Sequence, residues 1–123
     1  MKGWILAKPT IAKAYESSRL MDEFYNIGLA CKTVDPNSID IVVDRQDRKS
    51  IRVNGRVVQL PGFVIPRTGS GTTYYAKAVI RQLEQLGIIV FNGSDAIDNV
   101  KDKLYTQQIL SSSNLPTPKT IML

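Results

Sequence analysis

The chain of 123 residues has no histidine and a single cysteine, Cys31. One cysteine closes no internal disulfide, and without histidine neither a His-based triad nor an ordinary zinc cluster can be assembled. Aromatic residues are sparse, at 7%, with one tryptophan. Long apolar runs are missing as well. The opening "MKGWILAK" has the look of a secretory leader, but Lys8 ends its apolar run after a few residues, and no other stretch approaches the length that spans a bilayer. The chain therefore reads as a cytoplasmic protein with no membrane partner. What is present suits a globular domain: 43% hydrophobic and 22% charged residues, in a length that supports one domain with a real core.

The formal net charge is +5, which raises the question of a nucleic-acid partner. Its distribution argues for a local patch. Residues 44–67, "DRQDRKSIRVNGRVVQLPGFVIPR", hold six basic groups against two acidic ones, whereas residues 1–43 balance at five and five. An RNA-binding surface interleaves cations with stacking aromatics, and this segment carries only Phe63. The patch of Arg45, Arg48, Lys49, Arg52 and Arg56 then has two readings. It is either a solvated hairpin whose arginines keep its edge soluble, or a module binding nucleic acid or the ribosome with steep salt dependence. The first is favoured.

Periodicity organises the rest. Gly3 to Ala7 reads as a short buried strand. Ser17 or Ser18 is placed to cap a helix whose buried face holds Leu20, Met21, Phe24 and Ile27. Cys31 to Val34 and the β-branched "IDIVV", Ile39 to Val43, are strand candidates. In "SIRV-NG-RVVQ" the Asn54-Gly55 pair supplies the two positive-φ residues of a type I′ hairpin turn. Gly62 to Pro66 is a further strand. The helix beyond it places Tyr75, Val79, Leu83 and Leu86 on one stripe, widened by Ala76 and Ile80 and stopped by Gly87. "IIVF", Ile88 to Phe91, is the continuous apolar run of a buried parallel strand. Ser94 or Asp95 starts a short helix, Asp102 caps another from Lys103 to about Ser113, and the prolines of "NLPTPKTIML" keep the end extended. Strands alternating with helices predict an α/β fold, Rossmann-like, mainly a parallel sheet with helices on both faces and an inserted antiparallel β-hairpin.

Between the fourth main strand and its helix lies "PRTGSGTTYY". A P-loop would place Lys and then Ser or Thr after its last glycine, and here Gly71 is followed by Thr72 and Thr73. The dinucleotide fingerprint wants a third small residue where Tyr74 stands. Neither phosphate motif is present. Two readings stay open: a threonine-capped turn, or an anion site built from Arg67 and the hydroxyls of Thr68, Ser70, Thr72 and Thr73. In parallel sheets ligands bind beyond the carboxyl ends of the strands, where both Arg67 and Asn92 fall.

The order "GFVIPRTG…Y.AKAVIRQLEQLG…FN…AI….DKLYTQQIL……LPTP" resembles the N-terminal part of the RimK-type ATP-grasp carboxylate-amine ligases, the ribosomal-protein glutamate ligase and amino-acid ligase family. The similarity begins at "YESSRL" and covers most of the chain. Its most specific parts are Val64-Ile65-Pro66-Arg67, Arg81-Gln82-Leu83-Glu84 and Asp102-Lys103-Leu104. The loop "TGSGTTYY" departs from the family in carrying an extra glycine.

The resemblance implies a pre-ATP-grasp domain over residues 1–100. Residues 101–123 would then be the linking helix and the start of an ATP-grasp domain. It implies an enzyme that phosphorylates a carboxylate with ATP and then joins an amine, such as glutamate, to the acyl phosphate. The cofactors implied are ATP and Mg2+, bound mainly by domains outside this chain, so the chain alone is expected to be inactive. Substrate contacts fall to Arg67, Asn92, Thr68 and Ser70, and a nucleotide phosphate contact to Lys103; Tyr15 and Arg19 match the family as well. The implied partners are ATP, an amino acid and a carboxylate acceptor such as a ribosomal protein or peptide, and an oligomer is compatible with the pattern. A stand-alone basic module binding nucleic acid or a small anion is the alternative.

Overall fold

A computed structural model describes residues 1–43, 48–69 and 71–123, which divide into two compact units, Met1–Gly93 and Ser94–Leu123. In chain order the first unit runs β1 (Lys2–Leu6), α1 (Pro9–Ala12), α2 (Tyr15–Asn26), β2 (Ala30–Val34), β3 (Ile39–Ile41), β4 (Ile51–Val53), β5 (Arg56–Val57), β6 (Phe63–Pro66), α3 (Tyr74–Gln85) and β7 (Ile89–Val90). The second unit holds α4 (Ser94–Lys101) and α5 (Lys103–Ser112).

The main sheet is parallel, in the order β2-β1-β6-β7. β1 sits inside it and buries every residue but the first, which is why its sequence is apolar without alternation. The step β1-α2-β2 moves to one side and β6-α3-β7 to the other. Right-handed crossovers then set α2 and α3 on opposite faces. Phe24 of α2 meets Phe63 of β6 with ring centroids 5.1 Å apart, so Phe63 and Ile65 face α2, and Val64 and Pro66 alternate to the other side. This is the α/β architecture that the sequence predicts.

The small sheet is antiparallel, β3-β4-β5, with Ile39 opposite Val53 and Ile41 opposite Ile51. Its turn is the expected one, with Asn54 at φ 51° and Gly55 at φ 73°. "IDIVV" ends early as a strand, at Ile41, and pairs with this hairpin instead of extending the parallel sheet. Arg45 of the basic patch lies outside the described residues.

α3 buries Ala76, Val79, Ile80 and Leu83, a stripe rotated from the expected one, with Tyr75 and Leu86 at its margins. The cause is that α3 serves both sheets. The Tyr75 hydroxyl donates to the Ile39 carbonyl, and Gln82 Nε2 donates to Ser50 Oγ at 3.1 Å. Thr73 caps the helix by accepting from the Ala76 N–H at 3.1 Å.

α2 differs from expectation at its start. It begins at Tyr15, with Ala14 at the cap position and no side-chain cap. Pro9 opens a short helix α1 ahead of it, and Ser17 is buried with its hydroxyl donating to the Ile11 carbonyl at 2.7 Å. The serine ties two helices together instead of capping one. β7 differs too. It is an outer strand covered on one face only, leaving Ile89 59% and Phe91 72% exposed. In the second unit Asp102 accepts from the Tyr105 N–H at 2.9 Å and caps α5 as expected. Among the described residues no helix is long and apolar enough to cross a membrane.

Candidate substrate groove at the strand ends

From β1 and β6 the chain winds in opposite directions, so their carboxyl ends border the crevice in which open α/β sheets take ligands. The Arg67 N–H donates to the Leu6 carbonyl at 2.8 Å, which holds Arg67 level with the end of β1. Its side chain is exposed and makes no hydrogen bond or ion pair with any described residue. Arg19 behaves otherwise: its guanidinium is taken by Glu23 at 2.6 Å, an exposed pair one helical turn apart. Tyr15 is exposed at the start of α2.

The Phe91 N–H donates to the Val64 carbonyl at 2.9 Å and carries the chain past the end of β7 beside β6. Asn92 and Arg67 thereby line one groove of about 530 Å³. Its walls are Leu20 and Phe24 from α2, Phe63 to Pro66 from β6, and Ile89 and Phe91 from the outer strand. None of these side chains is acidic, and Arg67 is the single charge. Asn92 is exposed, and neither it nor Gly93 has a positive φ, so an Asn-Gly turn of the hairpin kind does not account for it.

The loop after Arg67 uses its threonine hydroxyls internally. Thr68 is buried and its Oγ1 lies 2.6 Å from Thr72 Oγ1, while Thr72 Oγ1 also donates to the Gly69 carbonyl at 2.7 Å. Thr68 thus shapes the loop in this structure, because its hydroxyl is spent on Thr72. Ser70 lies outside the described residues. Lys8, which follows β1, comes close to the loop from the other side: a Cβ on Gly71 would stand 3.9 Å from its Nζ. Sequence reasoning treated Lys8 only as the end of an apolar run. The signal available was a cation at a strand's carboxyl end, the same signal that singled out Arg67.

Lys103 is the first residue of α5 in the second unit and is exposed, with no hydrogen bond or ion pair among the described residues. The structure brings Arg67 and Asn92 together; Lys103 belongs to the other unit. Among the described residues there is no group of three or more His, Cys, Asp or Glu side chains that could hold a metal ion. Two arginines of the basic patch have neighbours of their own. Arg52 lies opposite Asp40 in register, and Arg48 reaches the Leu86 carbonyl at 3.4 Å.

At the other end of the strands, Cys31 lines a separate cavity of about 680 Å³ with Trp4, Leu60 and Pro61. Burial pushes its thiol pKa up, opposed in part by the Lys32 backbone N–H. Chemically, the groove at Arg67 offers one bidentate cation, one amide and an apolar wall. It can bind and orient a carboxylate; among the described residues it holds no nucleophile or general acid of its own.

The profile of the family described as "RimK PreATP-grasp domain" matches residues 1–97. The chain is 39% identical over 108 residues to the "Probable alpha-L-glutamate ligase 1" of Shewanella frigidimarina (strain NCIMB 400), covering 86% of this chain and 35% of that protein. It is 35% identical over 111 residues to the "Probable alpha-L-glutamate ligase" of Thioalkalivibrio sulfidiphilus (strain HL-EbGR7), covering 89% and 36%. The chain thus spans about a third of the length of these curated relatives. Among solved structures it is similar in fold to the ATP-grasp ligase PsnB, complexed with precursor peptide PsnA2 and AMPPNP, with a TM-score of 0.70 at 17% identity, over 95% of this chain and 45% of that one.

Proposed function

The chain belongs to the RimK PreATP-grasp domain family, and from that premise we propose that it is the acceptor-side domain of a cytoplasmic, ATP-dependent carboxylate-amine ligase. In the reaction, an acceptor carboxylate oxygen attacks the γ-phosphorus of ATP and ADP leaves. An amine then attacks the acyl phosphate, forming the amide and releasing phosphate and a proton. Both steps gather negative charge at the acceptor, and a guanidinium available to that carboxylate suits them. The names of the relatives support a glutamate-like amino acid as the amine, and the peptide in the PsnB complex supports a peptide or protein acceptor. ATP and Mg2+ would be held mainly by an ATP-grasp portion that follows residue 100, with Lys103 reaching the nucleotide phosphates.

The carrying observation is the guanidinium of Arg67, unpaired among the described residues, whose backbone is held at the topological switch point and which shares its groove with Asn92. Arg67 takes the acceptor carboxylate as a fork and Asn92 orients it through its amide, while Thr68 braces the loop that follows Arg67. The test is steady-state kinetics of the full-length ligase. Arg67→Ala is expected to lower kcat/KM for the acceptor by roughly 30- to 1000-fold, the effect of losing about 2–4 kcal/mol of charge-assisted contact, with thermal stability almost unchanged. Arg67→Lys keeps the charge and removes the fork; full activity of that variant would overturn the assignment.

A further inference from the structure

The apolar wall beside Arg67 is more than a carboxylate alone requires. Phe91 and Ile89 are 72% and 59% exposed, and Leu20 and Phe24 face the same space from α2. An apolar surface left open next to a single cation, in a groove of about 530 Å³, is built for an occupant that is anionic at one end and greasy at the other. We propose that the acceptor presents its carboxylate next to a bulky apolar side chain, aliphatic or aromatic, which lies on Phe91 and Ile89 while the carboxylate meets Arg67. This rests on the reading of Arg67 given above and adds a specificity to it.

Charge complementarity selects this occupant over the others. A second copy of the chain would bring another +5 against a face whose one charge is already a cation. A nucleoside triphosphate would place several negative charges against that one cation. A lone carboxylate needs only one fork, and among the described residues no acid lines the groove to repel it. A small or acidic neighbour would leave the apolar wall wet.

The 15N-labelled 123-residue chain, titrated with N-acetylphenylalanine, N-acetylglycine and N-acetylphenylalaninamide, tests this directly. N-acetylphenylalanine is expected to bind about tenfold more tightly than either of the others, since each compound lacks one of the two contacts. The amide signals that move should cluster at Arg67, Phe91 and Asn92. Phe91→Ala, an exposed position whose loss leaves the rest of the spectrum in place, should bring N-acetylphenylalanine down to the N-acetylglycine value and leave N-acetylglycine unchanged. Equal affinity for the two carboxylates, shifts clustered elsewhere, or self-association abolished by Phe91→Ala would each overturn the proposal. Its failure is separable from that of the ligase reading. Selective binding by the chain, with no carboxylate-dependent ADP release by the full-length protein, would sink the ligase and keep the groove. ATP-dependent ligation with no preference for an apolar neighbour would do the reverse.

Discussion

The ring of Phe63 occupies the space directly over Gly3, its partner in the β1–β6 register, and leans on Phe24 at 5.1 Å between centroids. The missing side chain of one strand is what lets the neighbouring strand lay an aromatic ring over it as part of the groove lining. A Cβ on Gly3 would overlap three atoms of that ring.

Gly3→Ala is therefore expected to destabilise the first unit by about 1–3 kcal/mol, the usual cost of overpacking a filled core. Urea melts should record the loss, and adding Phe63→Leu should restore part of it. Additive losses in the double variant would mean that the two residues do not compete for one space.

α3 is held by its buried stripe. Leu83 is fully buried, so Leu83→Ala should cost roughly 2–5 kcal/mol, whereas Gln85→Ala on the exposed side should stay within about 0.5. Comparable losses at the two positions in equilibrium unfolding would show that the helix face is misassigned.

Cys31 ties stability to pH with a definite sign. Its thiol is raised chiefly by burial, so the folded chain holds the proton more firmly than the unfolded one. The associated stability is present below the unfolded thiol's pKa and is lost as pH rises through the folded value. Alkylation by iodoacetamide should reach half its limiting rate at a higher pH in the folded chain than in an unfolded peptide containing Cys31. A midpoint at or below the peptide's would contradict this.

Lys103 and Arg67 are expected to separate kinetically in the proposed full-length ligase. Lys103→Ala should raise KM for ATP by about tenfold, corresponding to about 1.4 kcal/mol of phosphate contact, with the acceptor's KM little changed. Arg67→Ala should show the opposite split. If Lys103→Ala disturbs the acceptor and spares ATP, the nucleotide role assigned to it is wrong.

Much of this protein is legible from local chemistry. The Asn54-Gly55 turn, the stop at Gly87 and the Asp102 cap depend on the φ preferences and hydrogen-bonding reach of single residues, and each is where the sequence places it. The parallel sheet follows from alternating strands and helices, because right-handed crossovers leave few other arrangements. Arg67 and Asn92 stand out because both follow a strand, and strand ends are where such folds bind ligands. Tertiary structure decided what lies beside them. "IIVF" reads as a wholly buried run, yet β7 is an outer strand, and only the strand order shows that one of its faces is bare. Ser17 reads as a cap until α1 packs against it, and Thr68 reads as a free hydroxyl until Thr72 folds back onto it. A residue's type and spacing determine what its backbone and side chain are able to do. Which of those capacities is used depends on neighbours brought in by chain topology, and those neighbours are distant in sequence.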